Sequence, residues 1–427
     1  MFQWLNRRFQ LQEHQTTWKR EVTAGLTAFF TSAYILLVNP MILKDAGIPL
    51  SAGVMATIAI SVFGCIWMAF GANAPIILIP GMGVNAFFSY TIVQGSGLSW
   101  QQALGAVTVS GVLFFLAAVS PLGNRLVTAV PPSLKHGITA GIGLFLTFIG
   151  LQKGELIQPS PTTFVALGDF GHPVVLSTLA GLMVTLFLFI RNTKGSLLFG
   201  ILFTSLISAS LIGITGEAAL PDPRDYGQVF ASAEFNLREI PFWIAAFSMT
   251  MIVLFENMGL LSGILPDPRK FNRAYKATAI STFASGLLGT SPAIASAESA
   301  AGIAEGGKTG IPALVTSMLF ALSFAALPII GMIPENAVAP VLIVIGGLMV
   351  KSVQEIPFSD FSEGFPAFLI IAGIPLTSSI VDGLAFGFIT YPLLKAAAGQ
   401  AKQVPPLVYG ISVLFLLNWI VSTVTVH

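Results

Sequence analysis

Residues 289–310 read GTSPAIASAESAAGIAEGGKTG. The stretch lies between two long apolar runs and holds two glutamates, Glu298 and Glu305, among Gly, Ala and Ser. It is too short and too polar to cross a bilayer as an ordinary helix of about 20 apolar residues. Gly289, Thr290, Ser291 and Pro292 interrupt the chain, AIAS suits an extended backbone, and AESAAGIA begins a new half-helix. The fold turns on whether this is a surface loop or a broken crossing.

A second stretch of the same kind favours a broken crossing. Residues 73–93 read NAPIILIPGMGVNAFFSYTIV. Pro80 removes a backbone donor and disfavours helix at Ile79, and Gly81 and Gly83 loosen the backbone further. PIILI reads as extended, and a half-helix begins near Gly83. Non-helical backbone at membrane depth must line a cavity or be buried in protein, because lipid cannot satisfy its N–H and C=O groups. Two half-helix N-termini facing each other offer free N–H donors and partial positive charge. Glu298 falls in the first turn of the second half-helix, where a carboxylate is favoured. Kinks that serve only packing are the plainer reading of either stretch alone.

The rest of the chain sets the membrane context. Of 427 residues, 54% are hydrophobic and only 9% charged, and the mean hydropathy is +0.84. A soluble domain carries about 25% charge. Apolar runs fall at 23–43, 51–71, 76–94, 103–121, 136–151, 173–191, 196–214, 242–264, 274–289, 292–304, 311–331, 335–350, 365–379, 380–396 and 405–424. The fold class is therefore an all-α polytopic membrane protein. A transmembrane β-barrel would instead show alternating segments of about 10 residues. A net charge of +1 leaves no nucleic-acid footprint. The single cysteine, Cys65, excludes an internal disulfide, and the basic N-terminus lacks a cleavable signal segment.

Loop charges orient the chain by the positive-inside rule. Arg7, Arg8, Lys19 and Arg20 put the N-terminus in the cytoplasm. Arg125 with Lys135, Arg191 with Lys194, and Arg269, Lys270, Arg273 and Lys276 then also fall inside, provided both broken segments count as crossings. The uncharged GSGLSWQQ and the mixed loop 215–240 fall outside. Fourteen crossings put Lys395 and Lys402 inside, leaving 405–424 as an extra span or an interfacial helix. Seven crossings on each side of residue 216 suggest two inverted repeats, with the broken segments as the third member of each half.

Acids at bilayer depth are costly and tend to face a cavity. Glu256 sits in the middle of MIVLFENMGLLSGIL, and Glu298 in the tenth run. Burial disfavours a charged carboxyl, so one of the pair can carry a coupled proton. A carboxylate also accepts from a neutral ligand rich in N–H groups, such as a nucleobase. Phe87, Phe88 and Tyr90 are close enough in sequence to stack on a flat ring, although a chain with 34 phenylalanines uses most of them for packing. Asn85 can pair with an amide edge or with the facing backbone. Asp382 reads as the cap of its own helix, and Glu305 and Lys308 as solvated. His14, His136, His172 and His427 form no metal or triad pattern, and there is no GxSxG, HExxH or phosphate-loop motif. No enzyme, cofactor or metal is expected, and the energy source is an ion gradient.

The motifs also resemble a known family. IPGMGVNAFF, from Ile79, resembles the APGMGLNAFF-type third-segment motif of AzgA-like purine permeases, a branch of the nucleobase/ascorbate transporter superfamily. LGTSPAIASAESAAGIAEGGKTG, from Leu288, resembles their tenth-segment motif. AYILLVNP (from Ala33), GIGLFLTFIGLQ (from Gly141), APVLIVIGGLM (from Ala339) and PLTSSIVDGLAFGFITYPLLK (from Pro375) follow in the expected order. The resemblance implies about 14 transmembrane segments as 7+7 inverted repeats, with short strands in broken segments 3 and 10. It implies a cytoplasmic segment (1–22), a core domain (23–121 and 240–331), a gate domain (132–216 and 335–396) and an extra C-terminal segment (405–424).

The implied activity is import of a purine nucleobase (guanine, hypoxanthine or adenine) across the cytoplasmic membrane by proton symport, with elevator-type alternating access. Na⁺ coupling and a homodimer stay open, as do an anion permease on the same scaffold and a passive channel. The resemblance places base binding at Glu298, with Glu256 and Asn85 at the matching eighth- and third-segment positions; the reading of the residues adds Gly81, Met82, Gly83, Phe87, Ala297 and Ser299 to the binding set, with Glu256 and Glu298 coupling the proton. The chain departs from the family at VLFENMGLL, where DFFDTxGT is common. Val253 replaces the first acid, Glu256 the second and Leu260 a threonine, which makes that wall more apolar.

Overall fold

The computed structural model describes residues 8–120, 130–213 and 223–425. Arg7, Arg125 and residues 214–222 of the outer loop lie outside these. The described chain is predominantly helical. Among the described residues, eight continuous helical stretches are long and apolar enough to cross a membrane, the first of them, Trp18–Asp45, spanning α1 and α2. The protein is a multi-pass membrane protein.

In chain order the first half comprises α1 (Trp18–Ser32), α2 (Ile35–Asp45), α3 (Leu50–Trp67), β1 (Leu78–Pro80), α4 (Met82–Ala86), α5 (Trp100–Val119), α6 (Pro132–Lys153), a hairpin β2–β3 (Ile157–Ser160, Phe164–Leu167), α7 (Pro173–Ile190) and α8 (Ser196–Ile212). The second comprises α9 (Pro223–Val229), α10 (Ile240–Ile264), α11 (Phe271–Leu287), β4 (Ala293–Ala295), α12 (Ser299–Ala304), α13 (Ile311–Leu322), α14 (Leu327–Ile330), α15 (Ala339–Val350), α16 (Phe361–Thr377), α17 (Ile380–Ala397) and α18 (Pro406–Thr425).

Local chemistry sets several boundaries. Ser99 and Gln102 form a capping box at the start of α5, and Thr17 caps α1. Pro132 and Pro173 open α6 and α7, where a missing N–H costs nothing. Small residues allow close crossings. A Cβ on Gly346 would lie 2.4 Å from the Gly143 carbonyl oxygen, so α6 and α15 touch backbone to backbone. Gly289 has φ +83°, and it turns the chain from α11 toward β4.

Both broken segments contain short strands, and the two strands pair with each other. β1 and β4 run antiparallel with Leu78 opposite Ala295, Ile79 opposite Ile294 and Pro80 opposite Ala293. All six residues are buried. The Gly81 N–H donates to the Pro292 carbonyl (3.2 Å) and the Ser296 N–H to the Ile77 carbonyl (3.1 Å), extending the ladder at both ends.

Side chains cover the outward backbone groups. The Ala293 N–H donates to Ser285 Oγ (2.8 Å), the Ala295 N–H to Asn257 Oδ1 (2.8 Å) and the Ile77 N–H to Ser299 Oγ (3.0 Å). Thr282 Oγ1 donates to the Ala293 carbonyl at 3.2 Å. From the other side, the Asn39 amide donates to Thr57 (2.8 Å) and Thr290 (3.1 Å), and Ser291 donates to Asn39 Oδ1 (3.2 Å). Extended backbone thus sits in the interior with partners drawn from helices on several sides.

The hairpin β2–β3 was not anticipated from the sequence. Its residues are mostly exposed, so no alternation of apolar and polar side chains announces it.

Candidate functional site

A cavity of about 640 Å³ lies against the strand pair. Its wall includes Tyr34, residues 79–83, Thr139, Ile142, Met251, Phe255, Glu256, residues 294–298, Phe388 and Phe415. Six of the residues singled out from sequence therefore meet at one space: Gly81, Met82, Gly83, Glu256, Ala297 and Glu298. Glu298 occupies the N-cap position of α12, one residue before its first turn, and its side chain does not cap that helix. The carboxylate instead accepts from two hydroxyls. Tyr34 donates to Oε1 and Ser296 donates to Oε2. Ser296 Oγ also accepts from the Glu298 N–H at 3.3 Å, which closes a small ring of bonds around the residue. An ionised carboxylate has about four acceptor positions. Two remain to receive N–H groups from the cavity.

Glu256 projects from α10 into the same space, beside Phe255 and Met251. No hydrogen bond or ion pair joins its carboxyl to a described residue. Its neighbour Asn257 serves the fold, accepting the Ala295 N–H while donating to the Val253 carbonyl at 2.7 Å.

Three expected site residues do not reach the cavity. Phe87 is fully buried in the core and presents no face to a ligand, and the same holds for Phe88. Asn85 is fully buried, and neither its amide nitrogen nor its oxygen has a partner among the described residues. Ser299 is buried with its hydroxyl accepting the Ile77 N–H. All three side chains are turned into the protein interior, Asn85 from the α-helical turn Met82–Ala86, Phe87 from the start of the wider π-helical turns that run to Gly95, and Ser299 from the second half-helix. Asp382 also differs from expectation. Ser379 caps α17, and the Asp382 carboxylate accepts from Trp419 Nε1 at 3.0 Å. Glu305 pairs with Lys194 at 2.6 Å, with both side chains partly exposed.

A second cavity of about 960 Å³ is lined by Tyr90, Gln94, Gln152, Arg238, Glu239 and Asp382, among others. Beside it runs a chain of polar contacts. Tyr90 donates to Asp45 (2.5 Å), Lys153 pairs with Asp45 (2.8 Å), and Lys44 pairs with Glu335 (2.6 Å). The Tyr90 ring meets the edge of Phe145 at 5.8 Å.

The profile of the xanthine/uracil permeases, described as a permease family, matches residues 19–386. The chain belongs to the xanthine/uracil permease family. Among its relatives it is 45% identical over 388 residues to the nucleobase transporter PlAzg2 of Paenibacillus larvae, covering 88% of this chain and 77% of that one. It is 38% identical to the guanine/hypoxanthine permease PbuO of Bacillus subtilis, covering 96% and 99%. It is 35% identical to the adenine permease AdeP of Escherichia coli, covering 97% and 95%. These relatives agree with the AzgA-like purine permease branch. Among solved structures, the transmembrane domain of the cyanobacterial bicarbonate transporter BicA superposes with a TM-score of 0.62 at 18% identity, covering 86% of this chain and 97% of that one. Murine Slc26a9, an anion transporter in its inward-facing state, superposes with a TM-score of 0.63 at 12% identity, covering 96% and 69%. At such identities the likeness is one of fold.

For this member of the xanthine/uracil permease family, the departures in α10 separate in space. Val253 is fully buried and away from the cavity, whereas Leu260 lines it. Sequence reasoning missed Tyr34, Ser296 and Asn257. Tyr34 had a signal, a hydroxyl inside the apolar run AYILLVNP that also holds Pro40. It occupies the joint between α1 and α2, where its hydroxyl reaches Glu298. Asn257 yields a prediction. Asn257→Leu leaves the Ala295 N–H unpaired in a dry interior, at a cost of about 1–3 kcal/mol. Thermal unfolding of the detergent-purified variant should shift downward and its KM for substrate rise, and an unchanged midpoint would show the bond to be dispensable.

Proposed function

We propose that the chain is a secondary-active purine permease of the cytoplasmic membrane, importing a free nucleobase together with a proton. One observation carries this reading. The Glu298 carboxylate is held by Tyr34 and Ser296 at the junction of two broken crossings, with acceptor capacity directed at a cavity lined by apolar and aromatic side chains. A purine offers N–H groups to such an acceptor and flat faces to such walls. The relatives, a nucleobase transporter, a guanine/hypoxanthine permease and an adenine permease by name, support the substrate class. Glu298 accepts base N–H groups, backbone at Gly81–Gly83 and Ala297 meets the ring edges, and Glu256, whose carboxyl has no hydrogen bond or ion pair among the described residues, carries the proton. An anion permease on this fold is disfavoured by an acid at the binding point.

In this reading the chain makes fourteen crossings as two inverted sets of seven, with the N-terminus in the cytoplasm. Packing supports the repeat. The fourth crossing α5 packs on the ninth, α11, as the eleventh, α13, packs on the second, α3. The α7–α8 hairpin has its counterpart in α16–α17, and α6 crosses its own counterpart α15. The core (23–121, 240–331) carries the strands and both acids, and it slides against the gate (132–216, 335–396). Lys135 and His136, on the first turns of α6, border the cavity, so it opens toward the cytoplasm. The pairs Lys153–Asp45 and Lys44–Glu335 then join gate to core on the outer side and hold this inward-open state.

Lys153→Ala removes a half-buried pair of about 1–2 kcal/mol, a shift of roughly 5–30-fold toward the outward-open state. A membrane-impermeant maleimide added outside should then label a cysteine placed at Ala297 faster, and an unaltered rate would dissociate the pair from gating. The substrate assignment is tested by competing unlabelled bases against radiolabelled hypoxanthine in expressing cells, with and without a protonophore. Purines should compete and the protonophore should abolish accumulation. Competition by oxyanions alone would refute the reading.

A further inference from the structure

Part of the cavity wall comes from beyond residues 19–386, the stretch the family profile covers. Phe388 of α17 and Ile411 and Phe415 of α18 all face the space that holds Glu256 and Glu298. The aromatic rings expected to flank a flat ligand from the half-helix, Phe87 and Phe88, are sealed in the core. The aromatic surface open to the cavity belongs instead to Tyr34, Phe255, Phe388 and Phe415.

α18 is built to lie along α17 for its whole length. Its inner face repeats at three and four residues, with Val408, Ile411, Ser412 and Phe415 all buried. Phe415 packs on Phe388 with ring centroids 5.8 Å apart, and Ser412 donates to the Phe388 carbonyl. At one end Tyr409 donates to the Ala401 carbonyl (3.2 Å), just past the end of α17. At the other, Trp419 packs on Phe386 (5.0 Å) and donates to Asp382 in the first turn of α17. The two helices are therefore antiparallel. Twenty residues of helix span about 30 Å, the thickness of the hydrocarbon core. The opposite face is apolar and exposed at Val413, Leu414, Leu416, Leu417 and Ile420. An interfacial helix carries a charged face, and this one has none.

We propose that α18 is a further membrane crossing whose Ile411 and Phe415 form a sizing wall of the purine cavity, limiting which ring substituents fit. This rests on the purine reading above. Phe415 and Phe388 present a rigid tilted pair of rings to the ligand. Phe415→Ala removes half of that pair and opens space for a bulkier base.

The test measures inhibition of purine uptake by hypoxanthine and by 6-benzylaminopurine in cells expressing the full chain. For Phe415→Ala, the ratio of the two inhibition constants should shift about tenfold or more toward the bulky base. Leu414→Ala, on the lipid face, should leave the ratio unchanged. An unchanged ratio in Phe415→Ala overturns the proposal. A second arm uses Cys65→Ser, which removes the one, buried, cysteine. In that background Ile411→Cys should react with N-ethylmaleimide, and hypoxanthine at ten times its half-saturating concentration should slow the reaction about tenfold. Protection of Ala297→Cys without protection of Ile411→Cys removes α18 from the binding cavity while sparing the purine reading. Protection at neither position overturns the purine reading itself.

Discussion

Cells expressing Glu298→Gln should take up purine at least about a hundredfold more slowly than wild type, with the protein at normal abundance in the membrane. Glutamine preserves shape and volume but replaces one carboxylate oxygen with an amide donor. A base N–H that met an acceptor then meets another N–H, buried and unsatisfied. Hydrogen bonds to charged groups contribute about 1.5–3 kcal/mol, and leaving such a partner unpaired costs at least as much. Each 1.4 kcal/mol is a factor of ten, so a hundredfold loss follows from one such change. The hydroxyls of Tyr34 and Ser296, both donors to this carboxylate, also lose half their acceptor. Initial rates of radiolabelled uptake, normalised to membrane protein, check the effect, and wild-type kinetics in the variant would remove Glu298 from the binding site.

Glu256→Gln should separate transport from coupling. The Glu256 carboxyl faces the cavity with no hydrogen bond or ion pair to a described residue. In the proposed mechanism it takes a proton from one side and releases it to the other. Glutamine remains permanently neutral, so the carrier can still exchange one base for another but cannot draw on the proton gradient. A membrane potential supplies about 2.3 kcal/mol per charge per 100 mV, enough to sustain roughly a fiftyfold concentration ratio. The steady-state ratio of inner to outer purine should fall to about one, while counterflow exchange persists. If the variant still accumulates purine, and a protonophore still collapses that accumulation, the proton travels on another group.

The chain itself announced the two interruptions and the acid at one of them. Gly and Pro punctuation located each break to within a residue or two. The extended stretch predicted over PIILI is realised as Leu78–Pro80, displaced toward the proline because pairing with Ala293–Ala295 defines where the strand lies. Glu298 precedes its half-helix by one residue instead of standing within the first turn. The failures have a common physical origin. In a chain that is apolar on nearly every helix face, periodicity does not say which face meets a cavity, and Phe87 and Asn85 stand on faces turned into the core. Tyr34 finds its partner 264 residues downstream, a contact no local pattern contains. Lys153, Asp45 and Glu335 stand at helix ends, where charge normally means solvent. α18 is so uniformly apolar that its buried face becomes visible only against α17.

A cryo-electron microscopy structure of the full-length protein incubated with a transported purine tests the binding site most directly. Density for a flat ring should lie between Gly81–Gly83 and Ala297–Glu298, with its N–H edge turned to the Glu298 carboxylate and a ring of Phe388 or Phe415 alongside. A base seated away from these residues, or a Glu298 that keeps only its Tyr34 and Ser296 contacts while the base binds elsewhere, would contradict that arrangement.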